Sequence, residues 1–443
     1  MSVTSEGLAL DGHERNRLIG EARALLRRNH TGRFTKPSLG QYPHQWNWDS
    51  AFIVFGLDRL DADLARSEVR SLLEAQWENG MLPHIVYSEG HSDYFPTPEF
   101  WGTSELSGTP PVATSGLTQP PVLASAVRTL VEHAGDQREG DEFARDVFPA
   151  LLRWHRWLHE VRAVDGLVAI VHPWESGTDN STRFRTPLAN LGEVRAPEFA
   201  RRDQTHVAVG ERPVQEDYDR FMYLIARYRT LGWDYDTLVE HAPFLVQDVL
   251  FNSILHAADA DLMWLARRLG EQTDELESWL NDTRAAFDER FWNEEAGLYF
   301  DYDLRAGKQI EESTCATFMP LYAGIAGERQ AERLVRQHLL DPGQYAPGDG
   351  SRYLLPSVSK SSPYFEPRRY WRGPIWLNVN WLVARGLERY GHHEQARLLR
   401  EHSIELVSRS GFVEYYDPRD GTACGAAGFS WSAALAVDML LST

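Results

Sequence analysis

In the stretch DEFARDVFPALLRWHRWLHEVR (141–162), Leu151, Leu152, Trp154, Trp157 and Leu158 recur at helical spacing, while Arg153, Arg156 and His159 fall elsewhere. Apolar residues at i, i+3, i+4 and i+7 gather on one side of a 3.6-residue helix, so the stretch predicts an amphipathic helix with one buried face. The same period marks segments near 12–29, 49–60, 62–78, 121–134, 216–231, 246–270 and 273–291. It returns near 313–325, 327–340, 375–391, 394–409 and 429–442. Helices spread in this way along the whole chain leave little room for sheet. One short hairpin is expected where LYFDYDL (298–304) alternates after a turn at Glu295–Gly297.

No Ser/Gly linker, charge block or low-complexity segment divides the chain, so residues 1–443 are expected to form a single domain. That is long against the roughly 100–200 residues of a usual domain, and points to one large closed architecture. A strict repeat of about 34 or 40 residues, the mark of a regular solenoid, is absent. Helical hairpins can instead close into a toroid of inner and outer helices. Between the helices lie aromatic-rich strings: QYPHQWNWDSAF (41–52), QWENGMLPH (76–84), HPWESGTDNS (172–181), RFWNEEAGLYFDYD (290–303), RRYWRGPIWLNVNW (368–381) and FVEYYDPRDG (412–421). Six junctions suit six hairpins whose loops meet at one mouth. The expected fold is all-α, an (α/α)6 barrel. Irregular stretches near 81–120, 172–215 and 341–370 exceed the roughly 12–15 residues of ordinary loops, and each is expected to cover the mouth.

Composition excludes several functions. The formal net charge of −19 disfavours nucleic acid backbones and anionic membrane surfaces as partners. No apolar run approaches the roughly 20 residues of a spanning helix, and the first residues have neither the basic start nor the apolar core of a secretory signal. Two cysteines, Cys315 and Cys424, are too few for a disulfide scaffold or a Cys-based zinc site, which fits a reduced cytosol. His44, His84, His392 and His393 lack metal-ligand spacing and read as structural or surface residues. Neither metal nor cofactor is expected.

Aromatic residues make up 12% of the chain, and they cluster beside charged and amide side chains: Trp46 and Trp48, Trp371 and Trp376, Tyr415 and Tyr416. Core packing accounts for single aromatics inside helix-period patterns, such as Trp264 and Trp279. Aromatics set among Asp, Glu, Arg and Asn in turn-like sequence offer something else. Apolar faces with polar rims are what a pyranose ring stacks on.

Carboxylates stand among them. Asp179 lies in a tight Gly-containing loop beside Trp174 and Glu175, where desolvation would keep a carboxyl protonated and able to donate. Capping of the next helix is an equally natural reading of that spelling. Glu414, between Phe412, Val413, Tyr415 and Tyr416, is costly to bury without a partner, so it is either paired or kept for chemistry. Asp49 poses the same question at a helix start, where capping is again natural. Glycoside hydrolysis needs two such carboxyl groups flanking one bond. No GxGxxG, Walker loop or GxSxG elbow competes with that reading.

The strings YPHQWNWDSAF, QWENGMLPH, TSGLTQPPV, WESGTDNS, YWRGPIWLNVNWL and FVEYYDPRDG resemble glycoside hydrolase family 63, in particular its short bacterial members acting on glycosylglycerates. The resemblance runs from about residue 20 to the end. It implies an (α/α)6 barrel and α-glycoside hydrolysis with inversion, Asp179 being the general acid and Glu414 the general base. It further implies a sugar subsite of Tyr42, Trp46, Trp48 and Asp49, walled by Tyr370, Trp371 and Trp376, and a glycerate subsite of Tyr94, Gln119, Arg212 and Tyr218. A guanidinium fork and phenolic donors suit a carboxylate better than a neutral sugar. For Arg212 the alternative is plain pairing with Glu216 or Asp217. Phe429 stands where some relatives carry glutamine, which leaves glucose against mannose open. The expected partner is a small anionic sugar, drawn to a locally positive mouth made by Arg212 with Arg185 or Arg372; a homo-oligomer is allowed. The rival readings are a sugar isomerase or epimerase on the same barrel, an α-glucosidase of the family acting on a neutral disaccharide, and a phosphorylase or non-catalytic sugar binder.

Overall fold

The computed structural model describes residues 11–88 and 94–442. Twelve helices alternate in chain order between an outer and an inner position. The outer ones are α1 (Gly12–Asn29), α3 (Ala62–Leu73), α5 (Gln137–Trp157), α7 (Asp274–Phe291), α9 (Glu328–Arg333) and α11 (His393–Ser410). The inner ones are α2 (Asn47–Leu60), α4 (Leu123–Glu132), α6 (Val249–Leu269), α8 (Met319–Ala323), α10 (Leu377–Arg389) and α12 (Ser430–Leu441). Around the ring α2 packs on α4, α4 on α6, α6 on α8, α8 on α10, α10 on α12, and α12 closes back on α2. This is the (α/α)6 barrel that the helix periods predict.

Inner and outer helices differ as their surroundings require. Every residue of α2 from Asn47 to Leu57 is buried, and in α12 every residue from Ser430 to Leu440. A helix enclosed by neighbours on all sides has no polar face to keep. The outer α5 instead buries Phe143, Val147, Leu151 and Trp154, spaced for one face, and ends in a π-helical turn at Leu158–Arg162. Side-chain oxygens of Asp11, Asp61, Asp136 and Asp248 accept backbone N–H bonds at the starts of α1, α3, α5 and α6, satisfying donors left free at each N-terminus.

Departures from the expected elements are two shortened helices and several small strands. The 313–325 segment is a 3-10 turn at Cys315–Phe318 before the short α8, and the 327–340 segment runs from α9 into a π-helical turn at Leu334–Leu339. The 298–304 hairpin is present: Trp292–Asn293 pairs antiparallel with Leu298–Tyr299 around the 294–297 turn. Its continuation, Asp301–Asp303, enters a five-stranded sheet with Ala163–Val164, Leu167–Ile170, Val246–Gln247 and Lys308–Ile310. Val246–Gln247 therefore belongs to a strand rather than to α6. Two to four residues are too few for a period-2 pattern to declare itself. Helix Gln215–Thr230 matches its expected segment, and the short helix Tyr235–His241 was not expected. Among the described residues no helix is long and apolar enough to cross a membrane.

Candidate active site

A cavity of about 580 Å³ opens at the end of the barrel where the inner helices begin. Trp46, Trp48 and Asp49 reach it from the start of α2, Gln119 from just before α4, and Phe429 and Trp431 from the start of α12. Tyr42, Tyr94, Asp179, Arg212, Tyr218, Tyr370 and Glu414 also line it. The barrel thus gathers residues far apart in sequence at one mouth.

Two of the predicted wall residues stand behind it. Trp371 and Trp376 do not line the cavity; they stack on each other, ring centroids 3.7 Å apart, with Trp48 against one and Tyr415 against the other. Their size favours the core, since two indoles bury more area as backing than as walls. The 290–303 string also stops short of the cavity. Of the three irregular stretches, 81–120 and 172–215 each supply several lining residues, but 341–370 reaches the cavity only through Tyr370.

The loop carrying Asp179 is clamped on both sides. Upstream, Glu175 is fully buried, bonded by both Arg162 η nitrogens at 2.6–2.9 Å and by the Val171 N–H. This carboxylate is a structural anchor. Downstream, Arg183 pairs with Asp248 and Asp301 and donates to Thr178 Oγ1 at 2.6 Å, so the 290–303 string acts on the site through Asp301. Gly177 between them has φ 71°, and a Cβ there would sit 2.5 Å from the Trp48 indole. Only glycine lets this loop lie against that ring. The Asp179 carboxyl lines the cavity half-buried, and burial pushes it up to about 7, with the Arg212 charge pulling back and the Glu414 charge adding to the rise. A carboxyl so placed still holds its proton in part near pH 7.

Glu414 sits on the strand Val413–Tyr416, 1% exposed. The Tyr42 hydroxyl donates to its Oε1 at 2.7 Å and the Ala426 N–H to its Oε2 at 2.9 Å, with Arg212 Nη1 3.6 Å away. Burial raises this carboxyl too; Arg212 and the two hydrogen bonds oppose the rise by favouring the ionised form. Gly425, on the paired strand with φ 70°, leaves the room: a Cβ there would lie 2.5 Å from Glu414 Oε2. Asp49, a third carboxyl in the cavity, is pushed well up by burial and then by the Glu414 charge.

Arg212 is 5% exposed and lies 4.3 Å over the Tyr370 ring, donating from Nη2 to the Tyr42 hydroxyl at 2.9 Å. Glu216 and Asp217 are not its partners; Arg220 takes the first, and Arg220 and Arg372 the second. Its Nη1 and Nε are buried without hydrogen bonds, 3.6 Å from Glu414 and Asp203 respectively. Arg185 lies over Tyr364 and Arg372 is tied to Asn180 and Asp217, so neither lines the mouth. Arg202 and His206 do so instead, together with Asp203. Their spelling, in a stretch without period or motif, gives no sign of it. His84 also lines the cavity, uncharged, because burial drives it down to about 3. Among the described residues no group of His, Cys, Asp and Glu side chains is arranged to hold a metal ion.

A carboxyl pushed up to about 7, a second that accepts two hydrogen bonds and faces a guanidinium, and an aromatic-walled cavity around both are the parts of a glycoside hydrolase. Comparison with known proteins defines the class further. Residues 42–432 match the family described as the mannosylglycerate hydrolase MGH1-like glycoside hydrolase domain. The chain is 46% identical to a mannosylglycerate hydrolase of Thermus thermophilus, over 93% of this chain and 98% of the relative. It is 36% identical to a glucosylglycerate hydrolase of Mycolicibacterium hassiacum, over 96% and 97%. A crystal structure of a family 63 mannosylglycerate hydrolase of Thermus thermophilus, in complex with Tris and D-glycerate, superimposes with a TM-score of 0.90, covering 95% of this chain and 99% of that one. The chain belongs to this family of glycoside hydrolases, which sets the isomerase and epimerase readings aside.

Proposed function

We propose that this hydrolase cleaves mannosylglycerate or glucosylglycerate in the cytosol, with inversion, releasing glycerate and a hexose, and that residues 1–443 form one catalytic domain. Asp179 protonates the leaving oxygen of glycerate, and Glu414 takes a proton from the attacking water. Tyr42, Trp46, Trp48, Asp49 and Tyr370 hold the hexose, Trp371 and Trp376 stiffening the wall from behind. Tyr94, Gln119, Arg212 and Tyr218 receive the glycerate. Gln119 fits this role because its Oε1 is taken by the Trp48 N–H, which leaves its amide NH2 to donate.

The observation that carries the reading is Arg212. A buried guanidinium lining the cavity, whose Nη1 and Nε are paired with Glu414 and Asp203 only at 3.6 Å and make no hydrogen bond, favours an anionic substrate over a neutral disaccharide. A screen of the purified protein against mannosylglycerate, glucosylglycerate, trehalose and short α-glucans, read by hexose release, tests it. Turnover is expected with the two glycerates. Trehalose or a glucan as the best substrate would overturn the substrate class.

Two expectations follow from the site as built. The pH profile of kcat/KM should be bell-shaped. Its alkaline limb should fall as pH rises past about 7, where Asp179 loses the proton it must donate. Its acid limb should fall as pH drops toward the raised Glu414 value, where the base becomes protonated. The two carboxyls feel each other's charge, so the limbs report the pair. A rate still rising at pH 9 would contradict the acid assignment.

The second concerns the aglycone. Arg212→Ala should slow both glucosylglycerate and its uncharged analogue glucosylglycerol, because Arg212 also touches Tyr42 and faces Glu414. The loss should be greater for the glycerate by about 10- to 150-fold in kcat/KM, the equivalent of about 1.5–3 kcal/mol for a hydrogen bond to a charged group. Arg212→Lys should recover only part, as an ammonium lacks the planar fork. Equal losses on both substrates would remove Arg212 from glycerate recognition.

A further inference from the structure

A second cavity, of about 660 Å³, lies at the opposite end of the barrel, where the inner helices finish. It shares no lining residue with the first. Four carboxylates line it and each has a cation: Arg128 takes Glu132 and Asp261, Arg400 takes Glu388, and Arg59 takes Asp438, which also accepts from Trp381 Nε1. Two of the lining arginines have no carboxylate partner, because Arg128 serves two and Arg59, from outside the lining, serves a third. Among the described residues neither Arg385 nor Arg389 forms an ion pair or a side-chain hydrogen bond. Arg385 lies 4.5 Å over the Trp381 ring and 6.0 Å from that of Phe55. Arg389 packs on Gly324, where a Cβ would sit 2.3 Å from its Nη1.

The spacing makes this pair harder to account for as structure alone. Residues four apart share one face of α10, and like charges so placed repel. Compensation of the helix dipole explains a cation in the last turn, which is Arg389, but fades one turn earlier at Arg385. A further unmet group joins them. Ser125 Oγ of α4, on a residue 6% exposed, makes no hydrogen bond of acceptable geometry, although it lies within the influence of the Tyr322 hydroxyl. A buried hydroxyl left unpaired is unfavourable, so it marks a position for a ligand group.

We propose that this distal cavity is a non-catalytic binding site for a small phosphorylated sugar. Two uncommitted guanidinium groups on one helix face match the several oxygens of a phosphate dianion. The aromatic rings of Phe55 and Trp381 and the hydroxyls of Ser125 and Tyr322 suit the sugar part, and the volume falls in the ordinary range for small-molecule sites. The four lining arginines balance the four lining carboxylates, so the cavity carries no excess negative charge in a chain whose net charge is −19.

Isothermal titration of the full chain with glucose 6-phosphate, inorganic phosphate and glucose tests the proposal. Glucose 6-phosphate is expected to bind saturably, more tightly than either fragment. The double variant Arg385→Gln with Arg389→Gln should raise its Kd at least tenfold, and Ser125→Ala should raise it less. Both arginines are exposed, and the corresponding double lysine variant, which keeps the charge, should retain part of the binding. Arg212→Ala, at the far end of the barrel, should leave this Kd unchanged. Absence of saturable binding at millimolar concentration, or a loss caused by Arg212→Ala and not by the distal double variant, would overturn the site. Inorganic phosphate binding as tightly as the sugar phosphate would overturn its assignment to a sugar.

Discussion

Asp179→Asn is expected to lower kcat on glucosylglycerate or mannosylglycerate by about 10²–10⁴-fold while substrate still binds. The substitution preserves the shape of the side chain, and the loop around it is fixed by Glu175–Arg162 on one side and Arg183–Thr178 on the other. What changes is the proton. The glycerate oxygen leaves poorly as an alkoxide, and burial is what gives Asp179 a proton to offer near neutral pH. The variant should therefore regain rate on an aryl glycoside whose phenolate leaves without protonation. A variant with near-normal turnover of the glycerate would remove Asp179 from the acid role.

Glu414→Gln is expected to cost a similar factor, with the opposite response to leaving group. An amide cannot accept the proton of the attacking water, and a better leaving group does not make up for that. The fold should be little affected, because an amide oxygen can still accept from the Ala426 N–H while its NH2 turns toward the Tyr42 hydroxyl. Rescue of Glu414→Gln by an activated aryl glycoside, equal to that of Asp179→Asn, would mean that the two carboxyls do not divide the work. Single-turnover measurement separates these losses from changes in binding.

Ten of the twelve barrel helices were legible because each carries ten or more residues of one period, α8 and α9 being shorter, and α5 alone shows how. Its buried Phe143, Val147, Leu151 and Trp154 repeat the spacing that the sequence displays. Closure of the ring was legible only indirectly, through six loops of similar composition. One of those, 290–303, proved to act from beneath by way of Asp301 rather than from the wall. Asp179 and Glu414 stood out as acidic groups among aromatics, a combination that is unfavourable unless paired or used. Arg202, Asp203 and His206 did not stand out. They lie in the irregular 172–215 stretch, and only the packing of that stretch against residues 39–43 brings them to the rim, as in the bond from Gln41 Nε2 to the Asp203 carbonyl at 3.0 Å. Trp371 and Trp376 were misplaced for a related reason. Spelling distinguishes an indole beside polar residues from one in a helix, but it does not reveal which of two stacked layers faces the cavity.

The central claim is that Asp179 and Glu414 divide one displacement between an acid and a base. Proton NMR of the hexose released from a glycosylglycerate in the first minutes, before mutarotation, tests it most directly. Attack by a Glu414-activated water on the α-linkage should give the β-anomer first. The α-anomer appearing first would require a covalent intermediate and would contradict the assignment of both residues.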